Sequence, residues 1–401
     1  LSKFDPLVVG VTGSVGKSTT KEAVYSVLAE KFFVRRNQSN YNNEIGLPLS
    51  ITGLEKPVGI AAWLIFVVNS WLAVRRIKDF PTHLVLEMGA DKKGDINYLA
   101  NMVQPLIGVV TNVGDSHMEF LGSKKGIMME KRGLIESLPK TGRAVLNFDD
   151  DMVKDMQSKS KAPVITYGLK KGADVSAQNI IFKPNGSSFK LNYNGSIIPV
   201  KISLLGMGAV RAALAAVAVG LAVDMDIIHI VEGLRKWRPL PGRMNLIAGR
   251  NNMTIVDDSY NASSRESVMA GIETLKRMDF SGRKVAVLGS MWEMGAATEK
   301  GHIEVGKRAA RYFDILVGVE SNAYLYKKGA ISAGMSEDAI MIFPTTDELL
   351  ARVDDLFISG DMVYVKGSQG KNRLEKLVYQ LMKDKTKAKD MLARQSEEWQ
   401  K

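Results

Sequence analysis

A run of β-formers, Leu7-Val8-Val9-Gly10-Val11, ends in Thr12-Gly13-Ser14-Val15-Gly16-Lys17-Ser18-Thr19, and a helix-period stretch over about 17–29 follows. Strand, glycine loop and helix in that order form the opening unit of a parallel α/β sheet. The loop also constrains the chemistry. Glycines let backbone N–H groups close around phosphate oxygens, and the helix N-terminus adds partial positive charge. Lys17 at this spacing reaches β- and γ-phosphates, and the Ser18 hydroxyl is placed to ligate Mg²⁺. The full pattern has glycine six residues before the lysine; Val11 stands there, which leaves the shorter T-G-x-x-G-K-[ST] form.

Further buried-strand runs at 83–87, 106–111 and 144–147 alternate with helical segments. Residues 176–202 carry Asn-Gly at 185–186 and 194–195 among short alternating runs, which predicts hairpins. An alanine-rich helix over about 209–223 and another near 225–237 close this half. Arg238-Pro239-Leu240-Pro241-Gly242-Arg243 reads as a linker. Beyond it strands at 253–257, 284–288, 313–318, 339–343 and 362–365 alternate with helices at 264–277, 299–311, 321–333, 346–358 and 371–382. The expected fold is α/β: a P-loop ATPase domain with a mostly parallel sheet over 1–240, and a smaller, Rossmann-like doubly wound domain over 241–401. The charged tail 383–401 is expected to be helical or frayed.

With 401 residues, 45% hydrophobic and 24% charged, the chain can bury a large core and is neither disordered nor a multi-pass membrane protein. It has no cysteine, which excludes disulfides, thiolate zinc sites and a cysteine nucleophile. The net charge of +11 suits anionic partners. Its lysines are scattered or in short pairs without aromatic interleaving, so a solvated basic surface is favoured over nucleic-acid binding. Residues 59–74 (GIAAWLIFVVNSWLAV), followed by Arg75-Arg76, would span about 24 Å as a helix, short of a bilayer core of about 30 Å. Two readings stay open: a helix packed on the protein or a subunit, or a helix lying in the membrane interface, anchored by Trp63, Trp71 and the arginines.

Several polar groups fall where such a sheet binds ligands, at the carboxyl ends of its strands. Glu87 ends one strand and is a candidate Mg²⁺ ligand. Another strand ends at Thr111 and leads into Asn112-Val-Gly-Asp115-Ser116-His117, where His117 is either structural or part of the site. Asn40-Tyr-Asn42-Asn43-Glu-Ile-Gly46-Leu-Pro48 reads as a binding loop.

T-G-S-V-G-K-S-T, N-Y-N-N-E-I-G-L-P, V-L-E-M-G-A, N-V-G-D-S-H-M-E and P-G-R-M, in this order, resemble the motifs of the Mur ligase family. V-D-D-S-Y-N-A (256–262), V-L-G-S-M-W-E-M-G (287–295) with His302, and V-K-G-S (365–368) are most similar to the branch that adds D-alanyl-D-alanine to the UDP-muramoyl-tripeptide of peptidoglycan. The resemblance covers nearly the whole chain. It implies ATP-dependent, ADP-forming amide synthesis: a substrate carboxylate takes the γ-phosphoryl group, and an amine then displaces phosphate. It further implies that Thr12, Gly13, Ser14, Gly16, Lys17, Ser18 and Thr19 hold the nucleotide, with Asn40 and Asn43 lining its phosphates. Ser18, Glu87 and His117 would ligate magnesium, with Lys17, His117 and Lys131 counted as catalytic. Lys131, fourteen residues after the histidine, matches a lysine that the family carbamylates with CO₂ to hold a second Mg²⁺. Arg243, Asp258 and Asn261 would reach the nucleotide from the second domain on closure.

The chain also departs from the family. Leu205-Gly-Met-Gly208-Ala209-Val-Arg-Ala212-Ala offers glycine and alanine where the long helix usually has histidine and asparagine, Ser290 replaces an acidic residue, and Gln369 an arginine. The family's first, UDP-binding domain has no counterpart in this sequence. The UDP end is therefore expected to be held by a piece outside it, by a partner, by residues 59–74, or not at all. The expected location is the cytoplasm, with contact at the inner membrane face as the alternative. Alternatives in function are a Mur-type ligase with another acceptor and a catalytically silent ATP-binding scaffold.

Overall fold

The computed structural model describes residues 1, 3–37, 41–53, 79–114, 121–183, 186–262, 264–292, 294–367 and 373–395. Asn40, His117, Gln369 and the apolar segment 59–74 lie outside the described residues.

The first sheet grows around β1 (Leu7–Thr12). Beside it lie β3 (His83–Glu87) and β4 (Ile107–Val110), both parallel to it. The nine strands run in the order β2-β3-β1-β4-β5-β6-β7-β8-β9, with β2 at Val34–Arg36, β5 at Arg143–Asn147 and β6 at Val164–Gly168. Pairing is parallel as far as β7 (Val175–Lys183) and antiparallel through β8 (Gly186–Tyr193) and β9 (Ser196–Ile202). The hairpins expected over 176–202 are thus an antiparallel extension of the parallel sheet.

Alternation along β1 sends side chains to both faces. Val9 and Val11 pack with Val24 and Val27 of α1 (Lys17–Leu28), whereas Val8 packs with Leu84, Leu86 and Met88. That second face is covered by α3 (Asp95–Val103) and α4 (Lys124–Glu136); a short α2 (Gly46–Thr52) follows the asparagine loop. The alanine-rich α5 (Met207–Ala222) is buried on nearly every side, since small side chains let neighbours approach closely. The next helix, α6 (Ile227–Lys236), crosses α1 at Gly233, where a Cβ would stand 2.6 Å from the Val27 Cα.

The second sheet has six strands in the order β10-β11-β15-β12-β13-β14. Only β10 (Asn245–Ala248) is antiparallel to its neighbour β11 (Thr254–Asp258). The central strands are β15 (Met362–Lys366) and β12 (Lys284–Gly289), flanked by β11 and β13 (Ile315–Val319), with β14 (Ile340–Phe343) at the edge beyond β13. One apolar cluster runs from Val9 of the first sheet through α5 into Ile272, Leu288 and Tyr364 of the second half.

Some expectations are corrected. The helix expected over 346–358 is two short helices, Thr346–Leu350 and Val353–Leu356. The described part of the tail does form short helical pieces, at Lys385–Lys387 and Ala388–Met391, but it is docked and not frayed: Lys383 N–H donates to the Ala248 carbonyl (2.9 Å), and Leu392 and Ala393 are buried. Among the described residues no helix is long and apolar enough to cross a membrane.

Candidate functional site

The glycine loop is stitched to the ends of the neighbouring strands. The Thr12 hydroxyl donates to the Met88 carbonyl (3.0 Å), and the Thr111 hydroxyl to the Val15 carbonyl (2.7 Å). Asn112 Oδ1 accepts the N–H groups of Val15 (2.8 Å) and Ser14 (3.1 Å). A Cβ on Gly13 would stand 1.8 Å from Thr111 Oγ1, and φ there is +147°, so only glycine fits. Gly16 (φ 86°) caps α1 with no side-chain hydrogen bond. The first N–H groups of the helix therefore face the site, where Ser18 and Thr19 are half-buried. The Lys17 ammonium donates to the carbonyls of Gly13 (2.8 Å) and Ser14 (3.3 Å).

Glu87 emerges buried at the carboxyl end of β3, the strand next to the loop. Asn37 clamps its backbone from both sides, accepting the Glu87 N–H (2.8 Å) and donating to its carbonyl (3.1 Å). Asn42 donates to Glu87 Oε1 (3.1 Å), while the buried Oε2 has no hydrogen-bond partner among the described residues. A buried carboxylate oxygen left in that state calls for a cation. Asn43 is differently engaged: its Oδ1 accepts the N–H groups of Gly46 (2.9 Å) and Ile45 (3.3 Å), which fixes the start of α2.

Lys131 on α4 is 2% exposed, and its amine makes no hydrogen bond or ion pair among the described residues. Burial, reinforced by the Lys17 charge and opposed by Glu130, lowers its pKa to about 7. Glu130 is committed elsewhere, accepting the N–H groups of Gly94 (2.7 Å) and Ile96 (2.8 Å) at the start of α3. A polar cavity of about 410 Å³ adjoins Lys17, between Asn42 and the Gly89–Asp95 turn.

Across from the loop stand the carboxyl ends of the second sheet. Asp258 and Lys366 are register partners on adjacent parallel strands and form a buried ion pair (2.7 Å). The Tyr364 hydroxyl donates to Asp258 Oδ2 (3.3 Å). Burial lowers the Lys366 pKa, and Asp258 opposes that shift. Arg243, Asp258 and Lys366 share a cleft of about 110 Å³ with Val15, Gly16 and Thr19 of the loop and Gly206, Gly208 and Ala209 of α5's start. Asn261 lies half-buried just beyond, in the turn after β11.

The Mur ligase middle domain matches residues 11–220, and the Mur ligase glutamate ligase domain matches residues 242–369. The chain belongs to the Mur ligase family. Among curated relatives, the UDP-N-acetylmuramoyl-tripeptide--D-alanyl-D-alanine ligase of Bacillus subtilis is 29% identical over 392 residues, which is 95% of this chain and 77% of that protein. A crystal structure of MurF from Acinetobacter baumannii is 26% identical with a TM-score of 0.80, covering 96% of this chain and 78% of that one. MurF ligase from Thermotoga maritima in complex with ADP is 29% identical with a TM-score of 0.78, covering 94% and 80%.

The Mur ligase fold brings most of the anticipated residues to two facing sheet edges. On one edge stand Thr12 to Thr19, Glu87 and Lys131; on the other stand Arg243, Asp258 and Asn261. Three residues were given no role by the sequence, two of them quoted within motifs: Asn112, which holds the loop; Lys366, which pairs with Asp258; and Asn37, which holds Glu87. Asn112 and Lys366 directly follow or end strands that the pattern did reveal, and that position is the available signal. His302, quoted with the second-half motifs, is a structural bridge. The Met291 N–H donates to its Nε2 (3.0 Å) and its Nδ1 lies 2.7 Å from the Thr298 carbonyl, a pairing that requires a neutral ring.

The donor set suits an oxygen-preferring cation. Among the described residues no three His, Cys, Asp or Glu side chains gather at one point. Among the described residues, a cation beside Glu87 would draw its other ligands from hydroxyl, water and phosphate oxygens, the donors Mg²⁺ prefers.

Proposed function

We propose that this chain is an ATP-dependent, ADP-forming ligase that joins D-alanyl-D-alanine to a UDP-N-acetylmuramoyl-tripeptide. The observation that carries the reading is Glu87 Oε2 beside the phosphate loop, without a hydrogen-bond partner among the described residues, together with the buried Lys131 amine, likewise unpaired among them and near enough to Lys17 for that charge to lower its pKa. The names of the relatives supply the substrates.

In this reading the loop N–H groups and Lys17 hold the β- and γ-phosphates of ATP. Mg²⁺ would be held by Ser18, Glu87, His117 and Lys131, and would neutralise charge on the transferring phosphoryl group. With a pKa of about 7 the Lys131 amine is largely neutral near pH 8, the form that adds CO₂. Its carbamate would convert an uncharged group into a metal ligand. Thr12 to Thr19 with Asn40 and Asn43 serve the nucleotide from the first domain, 1–240. Arg243, Asp258 and Asn261 serve it from the second, 241–401, and Lys366 joins them on the same wall of the cleft, beside Asp258. The substrate carboxylate attacks the γ-phosphorus and ADP leaves; the dipeptide amine attacks the acyl carbon and phosphate leaves. A reaction that consumes ATP fits the cytoplasmic side, and contact of the segment 59–74 with the inner membrane face belongs to the same proposal.

ADP release is measured with each substrate omitted in turn, with mass detection of the product. Release that needs ATP, the UDP-muramoyl-tripeptide and D-alanyl-D-alanine together, with the amide mass, supports the reading. A muramoyl-tripeptide lacking UDP shows whether this chain recognises the UDP end. ADP binding without turnover on either substrate refutes the assignment and favours another acceptor or a scaffold.

A further inference from the structure

Arg243 enters the cleft from the linker, and its guanidinium lies 4.4 Å from the centre of the Tyr260 ring. The same residue holds the linker backbone, since the Tyr260 N–H donates to the Gly242 carbonyl (3.2 Å). Gly242 is left-handed (φ 68°), and a Cβ there would stand 2.9 Å from the Tyr260 nitrogen. Met244, on the other side of Arg243, is also left-handed (φ 53°). The linker at Arg243 is therefore bent tightly against one aromatic residue.

Tyr260 is gripped in turn by the C-terminal segment. Arg394 lies 5.1 Å from the same ring centre and donates to the Tyr260 carbonyl (2.7 Å). Arg394 is fixed by an ion pair to Glu375 (3.3 Å), which is 1% exposed. Arg373 completes the group, pairing with Glu375 (2.9 Å) and donating to the Arg394 carbonyl (3.2 Å). Arg394 itself has φ 57°, a left-handed conformation that a non-glycine residue keeps only when its surroundings enforce it.

We propose that Tyr260 is a positioning residue for Arg243, and that the Arg394–Glu375–Arg373 group holds Tyr260 in that role, so that the C-terminal segment sets nucleotide affinity without touching the nucleotide. The proposal rests on the reading that nucleotide phosphates enter the cleft beside Arg243. A ring within about 6 Å of two guanidiniums restrains both, because each cation is drawn to the aromatic ring. Loss of the ring frees Arg243 to sample conformations that miss the phosphates, and loss of Arg394 frees the ring.

Calorimetric titration of the full chain with ADP tests this. Tyr260→Leu is expected to weaken ADP binding by about 3- to 10-fold, Tyr260→Phe to retain it, and Arg394→Ala to weaken it to a similar degree. In an Arg243→Ala background, Tyr260→Leu should cost nothing further, because it acts only through that arginine. Additive losses in that double-variant cycle, or wild-type affinity in Tyr260→Leu and Arg394→Ala, overturn the proposal while leaving the nucleotide site intact. Failure of the wild-type chain to bind ADP overturns the nucleotide reading and this proposal with it. Thermal unfolding of each variant confirms the fold, and if Tyr260→Leu does not fold, Arg394→Lys enters the same cycle.

Discussion

Glu87 and Lys131 carry the largest local cost of this site and therefore its clearest tests. The Lys131 pKa is depressed from an unfolded value of 10.5 to about 7. Between those values the unfolded chain binds the extra proton, so this group's contribution to stability rises with pH across the window from about 7 to 10.5. Its penalty is full below pH 7. Lys131→Met in CO₂-free buffer is therefore expected to raise the melting temperature at pH 7 by roughly 1–3 °C, with the gain shrinking toward pH 10, while ligase turnover is lost. Differential scanning calorimetry at pH 7 and pH 10 checks both sign and trend. For Glu87→Gln the amide keeps the Asn42 contact and loses the cation-facing charge. ADP formation should fall by about 100-fold or more, with the unliganded melting temperature within about 1 °C of wild type. The positions of these groups were legible in the sequence: the glycine spacing pointed to a phosphate loop, and Glu87, ending a buried strand, was a candidate ligand at the same sheet edge. Asn37 was not legible, because its partner Glu87 is 50 positions away and only strand pairing brings the two together.

Among the elements, the long periodic segments were readable because each carries its own apolar face. The strand β2 has three residues, two of them arginine, and β10 alternates too briefly to stand out; the finished sheet edge selects them, not local propensity. The helix expected over 346–358 breaks near Ala351 and Arg352, where apolar spacing alone gives no warning. The docked tail shows the same limit, since two apolar residues, Leu392 and Ala393, bury themselves within a charged stretch. Helix contacts give a sharp test. Gly233 lets α6 lie against the backbone of α1, and the Ser26 hydroxyl donates to its carbonyl (2.8 Å). Gly233→Ala should destabilise the chain by about 1–3 kcal/mol through forced separation of the two helices, read as a shift in the urea midpoint. A midpoint equal to wild type would show that the two helices yield without cost.

At the scale of the whole molecule, one apolar cluster joins the two sheets, and the candidate site lies along that junction. A ligand bound there should stabilise both halves together. ADP with Mg²⁺ at 100 times its Kd is expected to add about 2.7 kcal/mol, a shift of roughly 3 °C for a chain of this length, in a single transition. Lys17→Ala should abolish the shift. The most direct test of the account follows one atom. The peptide substrate is labelled with ¹⁸O in the carboxylate to be joined, and the phosphate released with amide formation is analysed by mass spectrometry. Attack of that carboxylate on the γ-phosphorus predicts one ¹⁸O in each phosphate released. Unlabelled phosphate would mean that water, not the substrate, takes the phosphoryl group, and would contradict the account.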